Sequence, residues 1–134
     1  MGGARHSGVG VRLITRLGLH VEANSLGGVY GPDATFKIGQ NERLPDVAFV
    51  SASRIGSEGE PEGIWQIPPD LAVEILSPID LFEKVISNVH EYFAAGVRQF
   101  GSFHQNTERS SCIARQRRSQ YFPRTSIWSA TIFC

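Results

Sequence analysis

Apolar residues recur at three- and four-residue spacing from Val9 through Leu13, Ile14 and Leu17 to Val21, which predicts an amphipathic helix with Arg12 and Arg16 facing outward. Asn24-Ser25 and Gly27-Gly28 end it. The run VYGPDATFKI, Val29 to Ile38, reads as a strand in which Pro32 marks an edge position or a break, and Gly39-Gln40-Asn41 closes it as a turn. Leu44 to Val50 is a short, nearly continuous apolar run with one carboxylate, Asp46, near its start, the pattern of a strand buried on both faces. Residues 51–69 contain three prolines and little periodicity, so they predict a surface loop in which Ile64 and Trp65 pack inward.

Asp70 to Leu76 repeats the buried-strand pattern, and only Glu74 interrupts it. A carboxylate inside a core strand costs several kcal/mol, roughly, unless it meets a cation, a metal or hydrogen-bond donors. Ser77-Pro78-Ile79-Asp80 then predicts a helix start, with Ser77 as N-cap, Pro78 at the first helical position and Asp80 closing a capping box. Leu81, Phe82, Val85, Val89 and Phe93 form the apolar stripe of a helix over 78–95, and Gly96 suits its C-terminal cap. Val97 to Phe103 is a weaker strand, expected to lie parallel to Asp70–Leu76 after a right-handed crossover through that helix. The order of elements predicts an α/β fold, and past about residue 100 no periodicity persists.

With 134 residues and 41% hydrophobic content, the chain has the profile of one small domain with an appended segment. No run approaches a membrane span and the start MGGARHSGVG lacks a secretory signal, so a cytoplasmic location and no membrane partner are expected. Cys112 and Cys134 make neither a disulfide framework nor a paired zinc motif, which leaves oxygen ligands for any metal. The neutral total hides two unlike parts. Residues 1–100 carry 8 basic and 12 acidic side chains, whereas 101–134 carry 5 arginines and one acid, Glu108. The acidic body lacks the broad basic face of a duplex binder, and only the tail, with Arg115-Gln116-Arg117-Arg118 and the aromatics Tyr121, Phe122 and Trp128, offers phosphate or base contacts.

Two core strands therefore each bring a carboxylate, Asp46 in LPDVAFV and Glu74 in PPDLAVEIL. If the strands are neighbours, the pair suits Mg²⁺, which activates water and stabilises charge on a phosphodiester in flight. The plainer alternative has Asp46 bonded to a nearby amide and Glu74 paired with Lys84 or an arginine. His6, His20, His90 and His104 show no ligand spacing and read as surface histidines. Gly27, Gly28 and Gly31 precede no helix, so they turn the chain and do not cradle phosphate.

From Leu26 to Arg98 the ordered segments LGGVYGPDATFKIG, LPDVAFVSASRI, PPDLAVEILSP and EYFAAGVR closely resemble the Uma-two family of restriction-endonuclease-like proteins, of the PD-(D/E)xK nuclease superfamily. The resemblance implies a restriction-endonuclease-like mixed sheet flanked by helices, and a DNA endonuclease dependent on Mg²⁺ or Mn²⁺ with Asp46 and Glu74 as metal ligands. It also marks three departures. Nothing in Met1–Ser25 matches the glutamate-bearing leading segment of the family. The family lysine that orients the attacking water falls, counting back from Tyr92, on Asn88; Lys84 lies one turn earlier on roughly the same face and is either the candidate to replace it or a solvated surface lysine beside Glu83. The Arg- and Ser-rich residues 101–134 depart from the valine-rich final strands and read as a disordered or out-of-frame end to a domain over 1–100. An incomplete sheet would leave an open edge that favours a homodimer. The two function classes carried forward are a nuclease and a catalytically inactive, nucleic-acid-binding remnant of the same fold.

Overall fold

The computed structural model describes residues 3–80, 82–105 and 111–115. Its elements are α1 (Ala4–Ala23), β1 (Gly27–Tyr30), β2 (Phe36–Ile38), β3 (Asn41–Arg43), β4 (Val47–Ser51), α2 (Ala52–Ile55), β5 (Leu71–Leu76), α3 (Phe82–Ala94), β6 (Gln99–His104) and β7 (Ser111–Arg115). Five strands form one sheet in the order β1-β4-β5-β6-β7, and β2 and β3 form a separate hairpin. The β5–β6 pair is parallel and the β1–β4, β4–β5 and β6–β7 pairs are antiparallel, so the sheet is mixed. The expected α/β architecture and the parallel pairing of β5 with β6 are both present.

Alternation along β4 and β5 sends successive side chains to opposite faces, and each face has its own core. On one face Val47, Phe49, Leu71 and Val73 pack against Leu17 and Val21 of α1. On the other, Ala48, Val50 and Ala72 meet Tyr92 of α3, Val97 and Phe100, together with Phe36, Ile38 and Trp65. Double-sided burial explains why both strands read as continuous apolar runs. The apolar stripe that predicts α1 is the one buried, although the helix begins five residues before Val9. Arg12 and Arg16 are exposed, as their positions on the stripe's far side require.

Val29–Ile38 does not form one strand. It divides into β1, which pairs with β4 and is the edge strand among the described residues, and β2, which turns through Gly39 (φ 61°) into β3. Pro32 lies between the two, where its missing N–H costs no ladder bond. β3 reads Asn-Glu-Arg and is fully exposed, so no apolar pattern announces it. Within the loop, Trp65 is buried and stacks on Phe36 with centroids 5.9 Å apart. Backbone bonds from Lys37 N–H to Trp65 O and from Trp65 N–H to Thr35 O hold that segment against β2.

The helix expected from Pro78 begins at Phe82. Asp80 accepts from both the N–H and the hydroxyl of Ser77, at 2.6 and 2.9 Å, while Asp80 N–H donates to Ser77 O, and these bonds close a turn that replaces the first helical turn. Its end follows expectation. Gly96 (φ 101°) donates to Phe93 O and Val97 N–H to Tyr92 O, the paired bonds of a Schellman cap. β6 and β7 carry regular pairing past residue 100, from Gln99↔Arg115 to Phe103↔Ser111. The remaining readings of the tail, on residues 106–110 and 116–134, and that of Leu81, lie outside the described residues.

Candidate metal centre

The β4–β5 register pairs Val47 with Val73 and Ala48 with Ala72. One step further along the same antiparallel register places Asp46 opposite Glu74, on the face shared by Ala48 and Ala72. Two carboxylates directly opposite one another repel. The fold nonetheless surrounds both with protein, and each is tied by specific donors.

Asp46 stands just ahead of β4, between a buried Pro45 and a buried Val47. Its Oδ2 accepts the backbone N–H of Ile75 at 2.7 Å, and its Oδ1 lies 2.8 Å from His6 Nε2 in the first turns of α1. Asp46 does bond a nearby amide, as the plainer alternative has it, and a histidine as well. His6 is not a free surface residue: its side chain is 24% exposed and that of Asp46 17%. Gly10 helps to bring it there, because a Cβ at that position would meet Ile75 Cδ1 at 3.4 Å, so α1 approaches β5 closely one turn beyond His6.

Glu74 Oε1 accepts the hydroxyl of Tyr92 at 2.7 Å. Burial and then the neighbouring Asp46 carboxylate push the Glu74 carboxyl up to about 7, against the lowering effect of the Tyr92 bond and of the Arg43 charge. The Tyr92 hydroxyl is in turn held well above its ordinary range by burial and by Glu74. Arg43 is anchored on β3 by Glu91, which accepts from its Nε and its terminal nitrogen at 3.1 and 2.6 Å and from Asn41 Nδ2 at 2.6 Å. The Asn41 bond and the Arg43 contacts lower the Glu91 carboxyl. Lys84 is exposed on α3, and the basic side chain whose charge acts on Glu74 is Arg43.

Thus the fold brings Asp46 and Glu74 together, as their strands suggested, and adds His6, Tyr92 and Arg43, which the linear pattern did not single out. Tyr92 carried a signal: a phenol within an apolar helical stripe needs a partner for its hydroxyl when buried. His6 carried none, being forty residues from its partner.

The pair fits a hard divalent cation by its donor chemistry. Two adjacent carboxylates, one of them raised by burial beside the other, gain from a positive ion between them, and Mg²⁺ is commonly held by one or two carboxylates with water and phosphate completing its shell. Among the described residues no group of three or more His, Cys, Asp or Glu side chains is already arranged around an ion position. Among the same residues no helix is long and apolar enough to cross a membrane.

No curated protein matches the chain. A crystal structure described as a "putative nuclease belonging to DUF820", from Anabaena variabilis, superposes with a TM-score of 0.76 at 22% identity, over 89% of this chain and 66% of that one. The likeness shows the shared nuclease-like fold, and this chain spans just under two thirds of that protein's length. A family model described as "Putative restriction endonuclease" matches residues 1–133, so the chain belongs to the Uma2 family.

Proposed function

We propose that this chain is a divalent-cation-dependent endonuclease domain that hydrolyses DNA phosphodiester bonds, with Asp46 and Glu74 holding Mg²⁺ or Mn²⁺. The observation that carries the reading is the placement of two carboxylates opposite each other at one end of the β4–β5 ladder, partly buried, with Glu74 raised to about 7. Such a costly arrangement is kept at functional sites more often than in structural cores. Family membership and the fold of the Anabaena protein support the same reading.

When bound, the ion supplies an activated water and charge neutralisation at the phosphate. The chain's own residues prepare for it. Ile75 N–H fixes Asp46 Oδ2 and Tyr92 fixes Glu74 Oε1, so each carboxylate keeps one oxygen oriented by the scaffold. Charge developing on the phosphate calls for a basic side chain. Lys84 on α3 takes that role in our reading, with Arg43, locked by Glu91, as the second cation on the same side of the sheet as Glu74.

Nicking of supercoiled plasmid tests the proposal. We expect cleavage with Mg²⁺ or Mn²⁺, none with a chelator, and a loss of at least about 100-fold in Glu74→Gln, the scale on which catalytic electrostatic groups act. Absence of cleavage by folded chain that still binds DNA would favour the inactive nucleic-acid-binding alternative. Cleavage that persists undiminished in Glu74→Gln would place the activity elsewhere.

A further inference from the structure

Duplex affinity comes mostly from neutralised phosphates, and the acidic body of this chain has no broad basic face to supply it. It has a narrow one on α1. Of the eight Lys and Arg side chains in residues 1–100, three are Arg5, Arg12 and Arg16 of that helix. With 3.6 residues per turn, steps of seven and eleven from Arg5 bring all three within about 40° of one another, and all three are exposed. The one acid of the helix, Glu22, stands six residues beyond Arg16. Arginines elsewhere in the described body meet carboxylates: Arg43 that of Glu91, and Arg54 and Arg98 that of Asp70.

The stripe starts at the candidate site. His6, next to Arg5, reaches Asp46 Oδ1 at 2.8 Å, and Gly10 faces Ile75, so the first turns of α1 lie beside the paired carboxylates. Further along, Ile14 approaches Gly31, and Leu17 and Val21 join the core of β4 and β5, which seats the helix along the sheet. From Arg5 to Arg16 the axis rises about 16 Å at about 1.5 Å per residue, the axial length of about five phosphates of one strand.

We propose that the exposed stripe of Arg5, Arg12 and Arg16 on α1 holds the phosphate backbone of duplex DNA and leads it to Asp46 and Glu74. This inference rests on the reading of that site as an endonuclease centre. Arginine suits the task because its planar fork takes phosphate oxygens in pairs and keeps its charge at any working pH. Backbone contacts of this kind position a duplex without reading its bases. A helix already seated on the sheet presents the three groups in order, so less freedom is lost on binding than with a loop. Val11 and Leu19 of the same helix are 60% and 66% exposed, which makes an anionic lipid surface the competing partner. The start of the stripe beside the carboxylates favours DNA.

Fluorescence anisotropy of a labelled duplex, with the full chain and a chelator present, reads binding apart from cleavage. We expect the double variant Arg12→Gln, Arg16→Gln to bind about 30-fold or more weakly at about 50 mM salt. Its slope of log affinity against log salt should fall by about two, equally for duplexes of unrelated sequence. The double variant Arg12→Lys, Arg16→Lys keeps both charges and should keep the slope. Circular dichroism establishes that each variant is folded. Affinity and slope unmoved in the glutamine pair would overturn the inference. Loss of slope in the lysine pair as well would place the effect in packing and overturn it too. So would folded wild-type chain that binds no duplex, whether or not it binds vesicles of phosphatidylserine and phosphatidylcholine. The reading of Asp46 and Glu74 is separate from these results, because it stands or falls on divalent-dependent nicking and its loss in Glu74→Gln.

Discussion

The Tyr92 hydroxyl donates to Glu74 Oε1 at 2.7 Å, so a fully buried residue of α3 and the interrupting carboxylate of β5 share one polar contact inside the core. The bond offsets part of the penalty of burying Glu74 and lowers its carboxyl from where burial and Asp46 would leave it. Tyr92→Phe keeps the ring and removes the donor. We expect a loss of about 1–3 kcal/mol in urea denaturation at pH 8, where Glu74 is ionised, and a smaller loss at pH 5.

Glu74 also makes stability depend on pH. Its folded-state value of about 7 lies above the ordinary value of a glutamate in an unfolded chain, about 4.3, so the folded state binds this proton more tightly. The contribution is fully present below about pH 4.3 and is lost as pH rises through about 7, because the folded state holds more protons than the unfolded one across that window. Without divalent ions, the unfolding free energy of the wild type should fall relative to that of Glu74→Gln between pH 5 and 7.5, by an amount on the order of a few kcal/mol. Parallel pH profiles for the two chains would contradict the burial of an ionisable Glu74.

A second buried carboxylate has a structural task. Asp70 lies between the end of β4 and the start of β5, accepts Ser51 N–H at 2.8 Å, and meets Arg54 at 3.0 Å and Arg98 at 3.4 Å, with its side chain 8% exposed. Asp70 is buried while its partners Arg54 and Arg98 keep 24% and 51% of their side chains exposed, so its removal costs hydrogen bonds without stranding a buried charge. Asp70→Ala should cost about 1–3 kcal/mol in denaturant and lower the thermal midpoint, with no change in divalent affinity where the variant is folded.

Gly27 begins β1 with φ 148°, and a Cβ there would run into the Val50 carbonyl oxygen and the Ala52 nitrogen across the ladder. Gly27→Ala should therefore destabilise by more than about 1 kcal/mol, whereas Gly63→Ala, where a Cβ meets nothing within 4 Å, should not. Thermal denaturation of the two variants makes the comparison.

Much of this fold was legible because burial on both faces writes itself into sequence. β4 and β5 are apolar runs, α1 carries its stripe, and the parallel partner of β5 follows α3 as the helix and Gly96 suggest. β3 was not legible, since an exposed three-residue Asn-Glu-Arg strand has no hydrophobic signature. The start of α3 was misplaced because Ser77 and Asp80 satisfy a capping pattern and a closed turn equally well in linear sequence. At the site, Asp46 and Glu74 were found from their positions in core strands. His6 and Arg43 were not, because contacts across forty residues, or from an exposed strand, leave no periodicity to read.

Cleavage of an end-labelled DNA duplex under single-turnover conditions, with Mg²⁺, Mn²⁺ or a chelator, shows whether Asp46 and Glu74 hold an ion that hydrolyses DNA. The comparison set is wild type, Asp46→Asn, Glu74→Gln and Lys84→Ala. Cleavage should need a divalent ion, be lost in both carboxylate variants and be slowed about 100-fold or more in Lys84→Ala. Cleavage independent of the ion, or undiminished in Asp46→Asn and Glu74→Gln, would contradict it.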